Sequence, residues 1–371
     1  MCVVKLKVNI QDRKTEFGSA LLDWYDKNRR RLPWRDDPSA YHVWISEIML
    51  QQTRVEAVRG YYTRFLEKFP DIRSLAEAEE DECLKLWEGL GYYSRARNLL
   101  RAAGMVENEF GGQMPDHSAE LRKLPGIGPY TAAAIASIAF GEKIPAVDGN
   151  LMRIFARLVL YEKEIKTPAA AAQTGNFFLE RMPDDRPGDF NQALMDLGAG
   201  ICIPGPSPDC PRCPLQAFCG AYSEGCTDRY PVMPARKARK VERRTVLVIR
   251  DDDRILLRRR PPRGLLAGLY EFPNEEGWLD EDQAVQRARS YGCEPVRIRP
   301  LPQAKHIFTH REWHMHGYEI RIGSFPEDPD RGSLPEGGDP RTGSCFTVQI
   351  RDLRERYAIP GAYASFLRQV T

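Results

Sequence analysis

Residues 124–141 read LPGIGPYTAAAIASIAFG, and VDGN follows at 147–150. Pro125 and the two glycines interrupt the chain between helix-forming stretches. One helix is expected to end at Leu124 and another to start near Pro129, since proline suits a first helical turn. Gly126, Ile127 and Gly128 would form the tight hairpin between them. Glycine lets backbone approach a ligand closely, and N–H groups at a helix N-terminus suit a phosphate without reading sequence. The same pattern also fits an ordinary packing corner between two helices.

Around this stretch, residues 16–225 carry helical periodicity. Apolar residues recur at three and four in EFGSALLDWYD, YHVWISEIMLQQT, YYTRFLEKF, DECLKLWEGL and GNLMRIFARLVL. β-branched runs do not repeat between them, so a parallel sheet is not expected there. The character changes after about residue 230. Residues 227–244 are basic and contain Pro231 and Pro234, which suits a connector. TVLVIR-DDD-RILLRRR then reads as a β-hairpin, and EDQAVQRARSYG as a helix. VRIR, MHGYEIRI and SCFTVQI read as further strands, and 361–370 as a last helix. The C-terminal third is therefore expected to be a small α+β domain.

The chain has 371 residues and a formal net charge of +2, so bulk charge does not announce a nucleic-acid partner. Local clusters matter more: KNRRRLPWR at 27–35 and ARKARKVERR at 235–244. MCVVKLKVNI is interrupted by lysines and does not read as a secretory leader. TAAAIASIAF is too short to span a bilayer. A cytoplasmic protein with reduced thiols is expected, associated with the nucleoid only through DNA.

Four of the nine cysteines form the pattern Cys202-x7-Cys210-x2-Cys213-x5-Cys219, set among prolines. Such short spacing lets thiolates converge on one centre. Spacing leaves a tetrahedral zinc and a cubane iron–sulfur cluster equally open. Cys226 is a fifth candidate; Cys202 is preferred because it directly follows the helical run NQALMDLGAGI. Two carboxylates also stand out. Asp148 precedes GNLMRIFARL and is expected to cap that helix, which would hold it ionised and aimed. Glu47 lies in the apolar run VWISEIML. It fits either a narrow polar stripe with Gln51 or a buried acid whose pKa is raised.

In these motifs the chain resembles adenine DNA glycosylases of the MutY type, within the helix-hairpin-helix base-excision repair superfamily. The resemblance runs from about residue 20 to the C-terminus. It rests on LPWR, WISEIMLQQT, GLGYYSRARNL, LPGIGPYTA, VDGN, NQALMDLGA, the four cysteines, GLLAGLYEFP and the triplet FTH at 308–310. It implies a mainly α, two-lobed glycosylase domain over 1–226, a connector over 227–244 and a Nudix-like α+β domain over 245–371. The hairpin module would span about 36–146, and the cluster lobe 1–35 with 147–226. The first cysteine spacer has seven residues where the family usually has six.

The resemblance further implies a [4Fe-4S] cluster on Cys202, Cys210, Cys213 and Cys219. It implies a monomer acting on double-stranded DNA in which adenine is mispaired with 8-oxoguanine, and also with G. Gln52, Leu90 and Tyr92 would wedge into the base stack. Arg30, Trp34, Arg35 and Gln192 would line the pocket for the flipped adenine. Protonated Glu47 would donate to the base, ionised Asp148 would stabilise the sugar cation, and Tyr130 and Asn150 would orient them. Tyr130 stands where bifunctional relatives carry a Schiff-base lysine, which implies base removal without strand cleavage. Phe308, Thr309 and His310 match the loop that reads 8-oxoguanine, with Thr where the family more often has Ser. The segment 281–293 lacks the magnesium-binding glutamates of active Nudix hydrolases. Three histidines nearby, His306, His314 and His316, offer a weaker metal-site reading. The rival functions are a thymine- or oxidised-pyrimidine glycosylase, a non-catalytic iron–sulfur DNA-binding protein and an active nucleotide-pyrophosphate hydrolase.

Overall fold

The computed structural model describes residues 13–235, 238–325 and 345–370. MCVVKLKVNI and Ser344, the first residue of the SCFTVQI strand, lie outside them. The chain separates into two compact units, one of residues 1–77 and 98–236, the other of residues 78–97 and 237–371.

The first unit is helical, with no strand among its described residues. Its centre is the Pro129–Phe140 helix, whose residues Thr131 to Ser137 are all buried. Alanine at four of those positions keeps the helix thin. It therefore packs closely against both Ala40–Leu50 and Pro187–Gly200. A second core gathers Phe17, Phe177, Phe178, Phe190 and Phe218 around the apolar face of Gly149–Val159. The five phenylalanine rings meet one another in edge-on contacts.

The hairpin differs in detail from its expected form. The helix before it, Ser118–Leu121, ends three residues earlier than Leu124. Tighter i−3 bonds take over there, from Lys123 to Glu120 and from Leu124 to Leu121. Gly126 has φ +80°, and a Cβ placed on it would sit 2.6 Å from Cβ of Asn98. Gly128 caps the Pro129–Phe140 helix, and Gly141 ends it in the left-handed conformation.

The second unit is built on a mixed seven-stranded sheet. Its strands are β1 (Lys240–Arg250), β2 (Arg254–Arg259), β3 (Tyr270–Glu271), β4 (Asn274–Glu276), β5 (Pro295–Ile307), β6 (Arg311–Ile322) and β7 (Cys345–Gln349). The order is β3-β2-β1-β6-β5, with β4 on β1 and β7 on β2. β1 and β2 form the expected hairpin, and the Asp251 carboxylate accepts the N–H groups of Asp253 and Arg254 in its turn. β1 also pairs in parallel with β6, and its residues 245–249 are buried. Val246 and Val248 enter one core, Leu247 and Ile249 the other. β5 runs well beyond VRIR because Pro300 and Pro302 sit near a register shift that tolerates them. The last helix is shorter than expected: a 3-10 turn, Gly361–Tyr363, leads into Ala364–Leu367.

Segment 78–97 belongs to this second unit. Asp81 accepts from the Tyr270 hydroxyl at 2.6 Å, Lys85 donates to the Tyr357 carbonyl at 3.1 Å, and Glu88 accepts from Ile359 N–H at 2.9 Å.

Gly188 marks a close helix approach in the first unit. A Cβ there would lie 2.7 Å from the Ser137 carbonyl oxygen and 2.8 Å from Cα of Ile138. Both are backbone atoms that cannot swing aside. Gly188→Ala is expected to cost about 1–3 kcal/mol, measured as a lowered urea midpoint with unchanged m-value.

Candidate active site

Glu47 sits in Ala40–Leu50, a helix buried from Tyr41 to Met49 apart from the half-buried His42. With no apolar face distinct from a polar one, the helix carries Glu47 inward, and only 6% of the residue is exposed. The solvent-facing stripe is thereby ruled out. The Tyr130 hydroxyl, from the first turn after the hairpin, donates to Glu47 Oε2 at 2.7 Å. Burial pushes the Glu47 carboxyl up to about 7, and the charge of Asp148 adds to the rise. The Tyr130 bond and the Arg35 cation pull the other way and lose. Tyr130 itself is raised well above its ordinary value, chiefly by burial, so it remains a donor.

Asp148 caps Gly149–Val159, as its place before GNLMRIFARL predicts. Its Oδ1 accepts the N–H groups of Asn150 and Leu151, each at 2.8 Å. Its Oδ2 accepts the Asn150 side-chain amide at 2.8 Å. The expectation that capping alone holds it ionised needs correction. Burial raises the Asp148 carboxyl, against the caps and the Arg153 cation, which lower it. The two acids still differ in kind. Asp148 has three N–H donors aimed at its charge, whereas Glu47 has one hydroxyl.

Asn150 in turn accepts from Arg153 Nη2 at 2.9 Å, and Arg153 Nε donates to the Cys202 carbonyl at 2.8 Å. A continuous chain of hydrogen bonds thus runs from Asp148 to the cysteine loop. Arg153 and Arg157 escaped the sequence reading, although arginines four apart in the apolar GNLMRIFARLVL were the signal.

One cavity of about 200 Å³ joins these groups. Glu47, Tyr130, Asp148 and Asn150 line it together with Arg30, Trp34, Arg35 and Gln192. Trp34 is also core, 6% exposed and edge-on to Tyr62. Behind the wall lies Asp196, also missed from the sequence. It is 4% exposed and binds both arginines. Its signal was close to the one that singled out Glu47, an acid within the apolar run ALMDLGA.

The remaining candidates lie elsewhere. Gln52 and Tyr92 are exposed, and both adopt left-handed backbone, φ 59° and 46°. Such conformations cost energy for residues with side chains and gather at functional sites. Leu90, between Gly89 and Gly91, is instead buried at 6% exposed. In the hairpin Ile127 is buried and spends its N–H on the Leu124 carbonyl. In the second unit Thr309 and His310 are exposed at the β5–β6 turn, while Phe308 packs edge-on against Trp313 beneath them. The Thr309 hydroxyl is hydrogen-bonded to that of Tyr92. The histidines go separate ways: His306 against Phe308, His314 on Glu312, His316 on Thr245.

Cys202, Cys210, Cys213 and Cys219 are free thiols within reach of one another's charge. Burial, with a smaller push from the neighbouring sulfurs, takes Cys213 up to about 12 and Cys219 up to about 11. Cys226 responds to Glu224, Arg229 and Asp228 and to none of the four. The buried Arg157 donates to Cys202 Sγ at 3.3 Å and to the carbonyls of Ile203, Gly205, Thr227 and Tyr230, pinning the loop. Among the described residues no group of three or more His, Cys, Asp or Glu is arranged to hold a metal ion.

Comparison with known proteins fits this geometry. Residues 45–178 match the HhH-GPD superfamily of base excision DNA repair proteins, and residues 245–369 match the NUDIX domain. The mouse adenine DNA glycosylase is 36% identical over 84% of this chain and 72% of its own length. That of Buchnera aphidicola from Acyrthosiphon pisum is 36% identical over 84% of this chain and 88% of its own. A thermostable thymine-DNA glycosylase structure superposes with a TM-score of 0.52 at 30% identity, covering 58% of this chain and 98% of that one. The class is a base-excision DNA glycosylase of the helix-hairpin-helix superfamily with a Nudix-type domain attached. Within it, the chain belongs to the adenine DNA glycosylase family, enzymes that remove adenine from DNA. Among the described residues no helix is long and apolar enough to cross a membrane.

The raised Glu47 carboxyl has a consequence for stability. The folded protein keeps its proton up to about pH 7, while the unfolded chain loses it near the ordinary glutamate value of 4.5. Between those values the folded state binds more protons, so stability falls as pH rises. Glu47→Gln removes this penalty. At pH 8 the variant is expected to exceed wild type by up to about 3 kcal/mol. The gap should close below about pH 4.5, where the carboxyl is protonated in both states. Denaturant titrations at the two pH values measure it.

Proposed function

We propose that the chain is a monofunctional glycosylase that hydrolyses the N-glycosidic bond of adenine mispaired with 8-oxoguanine, or with G, in double-stranded DNA. The observation that carries the reading is the sharing of one cavity by two unlike carboxyls. Glu47 retains a proton near neutral pH and gives it to a ring nitrogen of the flipped adenine, so the base leaves neutral. As the bond breaks, the sugar becomes cationic at its anomeric carbon. Asp148, held by three N–H donors, is the anion that stabilises it until water adds. Extruding the base costs a few kcal/mol. Gln52 and Tyr92 are the wedges that fit this best, because their strained backbone is already in place. Leu90 would first have to leave the core. Tyr130 cannot form an imine, so no strand cleavage accompanies base loss. Thr309 and His310, exposed above the Phe308 anchor, are the side chains offered to 8-oxoguanine.

Cys202, Cys210, Cys213 and Cys219 fit a [4Fe-4S] cluster. Burial makes Cys210, Cys213 and Cys219 costly to ionise for the protein alone, and a cationic iron centre relieves it. When bound, such a cluster would supply a rigid cross-link for the loop and a one-electron couple. The protein's own contribution is the Arg157 clasp on that loop.

Duplexes carrying A:8-oxoG, T:G and C:G separate the rival activities. Breaks are expected only in A:8-oxoG, at adenine and only after alkali. Glu47→Gln is expected to lower the single-turnover rate by about 10²–10⁴-fold. Excision of thymine, or cleavage without alkali, would overturn the assignment. For the cluster, the purified protein is expected to absorb visible light, which a zinc thiolate does not. Cys213→Ser should abolish the colour and Cys226→Ser should leave it.

A further inference from the structure

Asp196 is the most buried acid around the cavity and does not line it. Its carboxylate takes the Arg35 guanidinium in two parallel bonds, Nη1 to Oδ2 at 2.7 Å and Nη2 to Oδ1 at 3.0 Å. It also takes Arg30 through Nε at 2.7 Å and through the backbone N–H at 3.2 Å. Arg35 Nη1 adds a bond to the Arg30 carbonyl at 3.2 Å, so one buried carboxylate fixes two cationic wall residues relative to each other. Burial works against the Arg35 charge, and the Asp196 pair outweighs it. A cation held there acts on Glu47, since the two line the same cavity and Arg35 favours the ionised form of that acid.

We propose that Asp196 is a positioning residue for the Glu47 acid: by clamping and neutralising Arg35, it keeps the proton on Glu47 at working pH. The proposal rests on the reading of Glu47 as the proton donor. The charged and titratable groups around Glu47 come from every neighbouring element. They are Arg35 from Pro33–Asp36, Tyr130 from Pro129–Phe140, and Asp148 with Arg153 from the start of Gly149–Val159. Arg30 comes from the preceding loop and Asp196 from Pro187–Gly200. Tyr25, with Arg35 over its ring at 5.7 Å, acts on Arg35 as well. Of these, Asp196 is the group paired with the cation that opposes the proton.

The sign follows directly. An acid that must be protonated gives a rate that falls as pH rises through its pKa. Asp196→Asn leaves Arg35 uncompensated, lowers the Glu47 pKa and moves that limb to lower pH. A shift of about one pH unit is a roughly tenfold loss above the limb and little loss below it.

The test is single-turnover adenine excision from an A:8-oxoG duplex, from about pH 5 to about pH 9. Wild type, Asp196→Asn, Asp196→Glu and Glu47→Gln are compared. The expected result is a limb displaced to lower pH in Asp196→Asn and restored in Asp196→Glu. A uniform loss at every pH, or no loss, would overturn the proposal. If Asp196→Asn does not fold, Arg35→Met carries the test in the opposite sense, with the limb moving to higher pH; an unmoved limb there also overturns it. Full activity in Glu47→Gln would instead overturn the reading of Glu47 as the acid, whatever the Asp196 variants do.

Discussion

The 2.7 Å hydrogen bond from Tyr130 to Glu47 is the interaction on which the site depends. It forms only because the hairpin brings the start of Pro129–Phe140 against Ala40–Leu50, and the alanines of the former let the two helices pack closely. Burying a carboxyl usually costs enough to drive it to protonate. Here that cost holds a proton on Glu47 up to about pH 7. One hydroxyl satisfies the acid without stabilising its charge enough to release the proton. A lysine or arginine in place of Tyr130 would invert that balance.

Asp148 completes the contrast. Both acids are withdrawn from water, and burial raises both. What separates them is local backbone. A residue at a helix N-cap receives N–H groups no other element can supply, and a residue in mid-helix receives none. The same contact that starts the Gly149–Val159 helix therefore also aims N–H donors at the Asp148 carboxyl. Asp148 also raises Glu47 through its charge, in the same direction as burial.

Much of this was legible in the sequence, for local reasons. Pro, Gly and the cap box of residues such as Asp280 and Gln283 act within a few positions, so helices over 129–140, 149–159 and 281–290 could be read directly. The β1–β2 hairpin announced itself through alternation around DDD. What could not be read depends on distant partners. Whether Glu47 faced water or core was undecidable within VWISEIML, since that helix is buried almost all round. The Asp196 clamp joins residues more than 160 positions apart. The grouping of 78–97 with the C-terminal sheet rests on Asp81, Lys85 and Glu88 meeting Tyr270, Tyr357 and Ile359, and charged helix surfaces give no hint of such partners. Prolines hid the length of β5, because the register shift that admits them belongs to its pairing with β6.

The central claim is that Glu47 carries its proton into the neutral range before any substrate binds. Infrared difference spectroscopy of wild type against Glu47→Gln isolates the protonated carboxyl band of that one residue. Followed across pH, the band is expected to lose half its intensity near pH 7, the value at which burial leaves this acid. A band already gone by about pH 5, the behaviour of an ordinary solvated glutamate, would contradict the account.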